Sequence, residues 1–284
     1  MSASLNPYIT EFGEEFDAGK SSQYRLTIQL ALGGLSYALL DNETQTLMAL
    51  ECYQSDLLAD SDDLFHTLER ALESKGLNNR DFLSVTCLIN ERICTLVPDT
   101  LFAEADMSKY LEFAFQVPGG YAVQSVELVT VPCHNVFAWP KALRDKVSGK
   151  WKEATITHSS AIFVDSSMRM ADLGAMVFVN VRNRDFDMVI VRDGQLAFFN
   201  NFKFNTKDDF AYFLLLAMEQ NGLSGQGTPV CFSGLIRPAS EIIDLCGRYV
   251  RDIRFVEDPH ALQVSKALEE VPFQYYFIHY QELR

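Results

Sequence analysis

Few residues in this chain have the types and spacing that chemistry needs. Gly19-Lys20-Ser21 has the tail of a phosphate-binding P-loop, in which a glycine-rich turn cradles phosphate oxygens and the lysine meets them as a point charge. That motif requires a glycine five residues before Gly19, where Glu14 stands, and a strand before the turn, where Glu11 to Asp17 is acidic. A polar N-terminal lead-in accounts for the tripeptide better. Cys133 and His134 are adjacent and so point apart in an extended chain. His66, His134, His158, His260 and His279 form no HxxxH or HxH pair, which argues against zinc. A Ser/His or Cys/His nucleophile would draw on partners distant in sequence, and no local signature marks one. From these residues alone we expect no catalytic set and no metal site.

Composition narrows the class. The chain has 284 residues, 48% of them hydrophobic and 22% charged, as in a globular protein able to bury a large core. A formal net charge of −14 repels phosphate backbones, so nucleic acid is not the expected partner. Arg248, Arg251 and Arg254 could form a local basic patch, but spacing of three near a helix end reads better as a solvated face. The most apolar runs, Phe210 to Met218 and Ile28 to Leu40, fall short of the ~20 residues that span a bilayer. The acidic N-terminus lacks a basic segment followed by an apolar one. Cys52, Cys87, Cys94, Cys133, Cys231 and Cys246 form no CxxC pair and mostly sit in apolar runs, as reduced thiols do. These features together predict a cytoplasmic protein without membrane insertion; they leave its oligomeric state open.

The elements that must position any site come in two similar sets. The sixteen residues from Asp62 to Leu77 recur without a gap from Asp208 to Leu223, with seven positions identical. Each copy reads as a helix with an apolar stripe, stopped by Gly76 or Gly222, with Ser61 or Asp62 as N-cap of the first. Each follows apolar, strand-like runs joined by polar turns: Tyr24 to Leu32, Leu35 to Leu40 and Thr46 to Tyr53 in the first half, Ala175 to Val181, Asp187 to Val191 and Gln195 to Phe204 in the second. A strand follows each helix, Phe82 to Ile89 and Thr228 to Phe232. A repeat of about half the chain is a duplication, not a solenoid.

Between the halves, residues 92–123 depart from the pattern and read as an inserted subdomain. Val126 to Val131 then predicts a strand ending at Pro132, with a helix to about Val147, a short strand at Ala154 to Thr157 and a helix from Ser159 to Met170. The chain closes with a helix from Pro238 to Tyr249 and strands at Ile253 to Val256 and Phe273 to Tyr280. The expected class is α/β, with mixed sheets flanked by helices. The expected domains are 1–170, with the insertion, and 171–284. Phe198, Phe199, Phe202 and Phe204 read most simply as a core strand, with an exposed partner patch as the alternative.

Two halves of the form hairpin, strand, helix, strand, with an insertion in the first, resemble the actin-like ATPase superfamily and its ribonuclease-H-like fold. The likeness is greatest to its bacterial pilus-assembly and secretion scaffolds. The resemblance covers roughly residues 22–284 and is carried by weak motifs. It implies an inter-lobe cleft in which a hairpin from each half wraps the phosphates of Mg-ATP. It implies nucleotide-binding positions at Gly33, Gly34, Ser36, Asn180, Arg182, Asp187, Ser233 and Gly234. It also implies an aspartate on the first hairpin, where Ala31 stands, and a second on the other hairpin, where Asn180 stands. Arg182 takes the place of that second hairpin's glycine, and Leu235 that of a glycine in the adenosine-contacting turn. A methyl group offers no oxygen to a hard cation, and arginine brings bulk where backbone should approach phosphate. The sequence therefore predicts a non-catalytic scaffold or regulatory protein with a protein partner and no cofactor. A nucleotide switch using ATP and Mg²⁺, or a kinase or ATPase with displaced groups, is the alternative.

Overall fold

The computed structural model describes residues 6–31, 33–55, 58, 60–257 and 263–283. Leu32 of the first hairpin and His260 lie outside the described residues.

The first half contains β1 (Ile9–Phe12), β2 (Tyr24–Ala31), β3 (Gly34–Asp41), β4 (Thr46–Gln54), α1 (Ser61–Ser74), β5 (Ser84–Ile89) and β6 (Cys94–Pro98). It continues through α2 (Met107–Glu112), β7 (Tyr121–Glu127), β8 (Cys133–Pro140), α3 (Lys141–Lys150), β9 (Thr155–His158) and α4 (Ser159–Met170). The second half contains β10 (Ala175–Val181), β11 (Asp185–Arg192), β12 (Gln195–Lys203), α5 (Lys207–Gln220), β13 (Val230–Gly234), α6 (Glu241–Cys246) and β14 (Ile253–Phe255). The short β15 (Gln263–Val264) and the terminal α7 (Phe273–Leu283) follow.

Both halves build a mixed sheet on one plan. The first runs β4-β3-β2-β5-β9, extended by β1 beside β4; the second runs β12-β11-β10-β13-β14. In each, the first three strands pair antiparallel and the last two add in parallel. The duplication is thus one of topology as well as sequence. Inward residues of the first sheet, such as Ile28 and Tyr37, pack with Leu68 of α1 and Trp139. Val179 and Phe186 of the second pack with Leu214 of α5. A third core joins the lobes: Leu88 of β5, Phe163 of α4, Phe178 of β10 and Phe277 of α7.

The repeat's identical positions fall at the helix ends and buried face. Gly76 and Gly222 adopt φ of +70° and +67°, where a Cβ is strained. Leu77 N–H then reaches Leu72 O and Leu223 N–H reaches Met218 O, both at 2.8 Å, closing each helix with a Schellman turn. Asp209 completes a capping box with Thr206. The first helix is capped one residue earlier than expected, by Asp60, whose carboxylate accepts from Asp62 N and Asp63 N.

Three expectations are corrected. Phe273 to Tyr280 is not a strand but most of α7: Phe273, Tyr276, Phe277 and Tyr280 recur at helical spacing, and their rings meet at 5.2–5.9 Å. The run carries strong β-propensity, which burial on nearly every side of the helix overrides, Tyr276 to Tyr280 all being buried. The residues after Pro132 form β8 before helix α3 begins. The inserted unit accordingly extends past residue 123, as a sheet in the order β6-β8-β7 packed against α2. The last residues also return to the first sheet: β15 pairs with β4, and α7 packs on β2 and β3 as well as β13. Among the described residues, no helix is long and apolar enough to cross a membrane.

Candidate functional site

A cleft of about 500 Å³ opens between the lobes, within the range typical of ligand pockets. The β2–β3 turn lines one wall with Ala31, Gly33, Gly34 and Ser36. The β10–β11 turn lines the other with Asn180, Arg182 and Asp185, together with Gly234 at the end of β13. Arg92, Arg184 and Lys203 bring basic side chains to the cleft, and Tyr8, Tyr53 and Tyr275 aromatic ones. Six of the eight sequence-predicted positions therefore line one cavity. The other two, Asp187 and Ser233, are sealed beneath it with no exposure.

Asp187 is the centre of the second wall. Arg182 grips its carboxylate with both ends of the guanidinium, Nη1 to Oδ2 at 2.6 Å and Nη2 to Oδ1 at 3.0 Å, while Nε of the same side chain donates to Asp185. Ser160, at the start of α4, donates to Oδ2 at 2.9 Å, and Asn201 of β12 donates to Oδ1 at 2.8 Å. Burial alone would raise the Asp187 pKa. The Arg182 charge, with the Arg182 and Asn201 hydrogen bonds, outweighs burial and holds it below the ordinary carboxylate value. Burial likewise disfavours the charged guanidinium, but Asp187 and Asp185 hold it firmly protonated. Only 12% of the Arg182 side chain is exposed. One guanidinium faces two carboxylates, so the cluster carries no spare positive charge for a phosphate. Asn180 accepts from Ser233 Oγ at 3.1 Å and is committed to that buried contact.

The glycines have separate reasons. Gly234 sits at φ +83° with the position of a Cβ only 2.1 Å from Val181 O, and its neighbour Leu235 donates to that same carbonyl at 2.8 Å. Gly33 sits at φ +89° with open space around it, so only the turn's backbone geometry requires glycine there.

Two buried polar clusters beside the cleft were not anticipated. His279 of α7 stands between Thr27 and Ser36, each hydroxyl 2.7 Å from one ring nitrogen. Burial lowers its pKa to about 3, so the ring is neutral and serves as a polar peg between helix and sheet. On the opposite face of the sheet, Glu51 is 2% exposed and accepts from the hydroxyls of Tyr37 and Tyr53. Cys52 beside it has its thiol pushed up to about 12 by burial, which leaves it a poor nucleophile. Near Asp187, burial lowers His158 to about 4; the ring lies 2.8 Å from Glu91 O and accepts from Ser160 N. Glu51 was findable in the sequence as a charge inside the apolar run of β4. His279 was not, because the aromatic run of α7 has the composition of a strand.

The cleft has room for a polar ligand, with cationic side chains in its lining. At its two hairpin turns, Ala31 offers no oxygen and both Asp185 and Asp187 are engaged by Arg182, so the described donor set does not fit a phosphate-bound Mg²⁺.

A Bacteroides thetaiotaomicron VPI-5482 protein with an actin-like ATPase fold and unknown function superposes with a TM-score of 0.76 at 18% identity, covering 85% of this chain and 93% of that one. PilM, solved in the PilM-PilN type IV pilus biogenesis complex, superposes at 0.57 with 13% identity, covering 91% of this chain and 97% of that one. The protein has the actin-like ATPase fold. No curated protein matches the sequence. One family model matches residues 13–253, most of both lobes and the cleft between them, and the chain belongs to that family, Protein of unknown function (DUF3822).

Proposed function

We propose that this protein is a non-catalytic scaffold or regulatory protein on an actin-like frame, acting in the cytoplasm by binding a protein partner. The observation that carries the reading is the closed Arg182–Asp187–Asp185 cluster. Phosphoryl transfer on this fold needs carboxylates free to organise a cation and its waters, because catalysis there is almost wholly positioning and charge stabilisation. Here the nearest carboxylates at the second hairpin are spent on an internal guanidinium, and Ala31 occupies the first. The free thiols of all six cysteines suit a reducing compartment. PilM shares the fold and is found with a protein partner, PilN.

The second reading, a nucleotide-binding switch, draws on the cleft's volume and on Arg92 and Lys203 in its lining. A thermal-shift series with ATP, with and without Mg²⁺, together with a phosphate-release assay, separates the two. The scaffold reading expects no Mg-dependent turnover and no stabilisation at millimolar nucleotide. A ligand present at 100 times its Kd would stabilise the fold by about 2.7 kcal/mol, a shift easily seen. Stabilisation without turnover favours the switch. Turnover abolished by Asp187→Asn overturns the proposal.

A further inference from the structure

The second sheet ends in an edge that is unlike the other sheet edges. Strand β12 closes the order β12-β11-β10-β13-β14, and no strand pairs with its outer side among the described residues. It is nine residues long, against four in β1, four in β9, three in β14, five in β6 and seven in β7. Short length, charge and proline are the usual devices that stop an edge from pairing. β6 ends in Pro98 and β7 in Glu127, whereas β12 has neither proline nor carboxylate and a single charge, Lys203, at its end. The Asn201 N–H bonds the Asn200 side chain at 2.9 Å rather than the neighbouring strand, so a backbone donor faces outward.

The face beside this edge is already furnished for a guest. Phe198 and Phe202 of β12 stack with centroids 6.3 Å apart, Phe202 stacks on Phe213 of α5 at 5.4 Å, and Phe213 meets Tyr212 at 5.4 Å. Phe198, Phe202 and Phe213 are each partly exposed, and Tyr212 is 60% exposed. An aromatic row therefore runs from the strand onto the helix and into solvent. Partly exposed aromatics beside an open ladder are the composition of an interface core.

We propose that the β12 edge is the docking surface for a partner protein, which adds an extended segment as a sixth strand to this sheet. The inference rests on the partner-binding reading above and assigns it a surface that meets the cleft only at Lys203. The segment pairs antiparallel, the more stable ladder. It lays apolar side chains at alternate positions on Phe202, Phe213 and Tyr212, and it carries an acidic residue near its N-terminal end, opposite Lys203. Lys203 is the only charge on β12, so the strand itself sets no carboxylate against an acidic segment.

The test uses the whole chain and a fluorescent nine-residue probe, Glu-Glu-Val-Thr-Val-Thr-Val-Thr-Val. Fluorescence anisotropy gives affinity, and amide hydrogen exchange over residues 195–203 gives the place of binding. Binding is expected, with slowed exchange of the Phe199 and Asn201 amides. Backbone N-methylation at alternate probe residues should abolish it. Tyr212→Ala or Lys203→Glu, both at exposed positions, should weaken it at least fivefold while leaving the melting temperature unchanged. The proposal is overturned if β12 amides are unprotected at millimolar probe, or if neither variant alters affinity. It is also overturned if the protein alone sediments as a dimer with those amides already protected, which would make a second copy the occupant. The Mg-ATP assays on the same sample read the scaffold proposal separately: edge binding together with turnover keeps the docking surface and removes the non-catalytic reading.

Discussion

Replacing Arg182 with alanine tests whether the second hairpin is held by the buried ion pair. The substitution removes both bonds to Asp187 and the one to Asp185, and leaves Asp187, which has no exposure, with only Ser160 and Asn201 as donors. Breaking a buried pair from one side costs about 3–5 kcal/mol, because the remaining charge stays desolvated. Two surviving donors place this case near the lower end, about 3 kcal/mol. At about 2–4 °C per kcal/mol for a chain approaching this size, the melting temperature should fall by about 6–12 °C at pH 7.

The pH dependence has a definite sign. In the native protein the folded-state pKa of Asp187 lies below its unfolded value of about 3.9, so its contribution is present above that pH and is lost as pH falls through the folded pKa. In Arg182→Ala, burial without the guanidinium raises the folded pKa above the unfolded one. Protonation then relieves the buried charge, and the deficit relative to the native protein should shrink between pH 7 and pH 4.5. The double substitution Arg182→Ala/Asp187→Asn should recover at least half of the loss at pH 7. Chemical denaturation at several pH values measures all three proteins. A deficit below about 1 kcal/mol at pH 7, or one that stays flat on acidification, would refute the reasoning.

The other outcomes follow from buried imidazoles and strained glycines. His279 and His158 have folded pKa values of about 3 and about 4, below the ordinary 6.5, so the unfolded chain binds protons first and stability should fall as pH drops from about 6.5 toward 4. Each histidine contributes up to about 1.4 kcal/mol per pH unit in that window, and His279→Gln should flatten the curve by roughly one such slope if denaturation is followed from pH 7 to 4.5. Gly234→Ala drives a Cβ into Val181 O at positive φ and should cost on the order of 3 kcal/mol. Gly33→Ala meets no neighbour and should cost only about 1–2 kcal/mol, so equal costs in thermal melts would contradict the contact at Val181.

What was legible in the sequence tracks how locally each feature is encoded. The repeated helices could be read because caps, stripes and stops lie within sixteen residues: Gly76 and Gly222 mark αL stops that few other residues tolerate. The hairpin walls followed from the resemblance to the actin-like fold, which implied a shared cleft for Gly33, Gly34, Asn180, Arg182 and Gly234, and these residues line one cavity. The partners of Asp187 were invisible, because Ser160 comes from α4 and Asn201 from β12, 27 and 14 residues away. The terminal helix was misread for a related reason. Phe273 to Tyr280 has aromatic residues at positions compatible with either period, and only the sheet and helix it packs against decide between them. The inserted sheet was placed but under-measured, because β8 begins immediately beyond Pro132, where strand and helix signals meet.

Glycines at the fold's phosphate-facing turns are weak evidence for a phosphate. Gly234 is required by its approach to Val181 O, and Gly33 by its φ, and both constraints hold in a protein that binds nothing in its cleft. The residues with no such backbone duty are the informative ones. Ala31, Asn180 and Arg182 occupy positions where the resemblance implies aspartate or glycine, and of these Arg182 has a consequence the other two lack. Its guanidinium neutralises Asp187 from within the chain, at the cost of burying the side chain that fixes it. A hairpin neutralised internally keeps its shape without any ligand. Such a hairpin suits the proposed scaffold, whose working surface would be an outer edge such as β12 rather than the cleft.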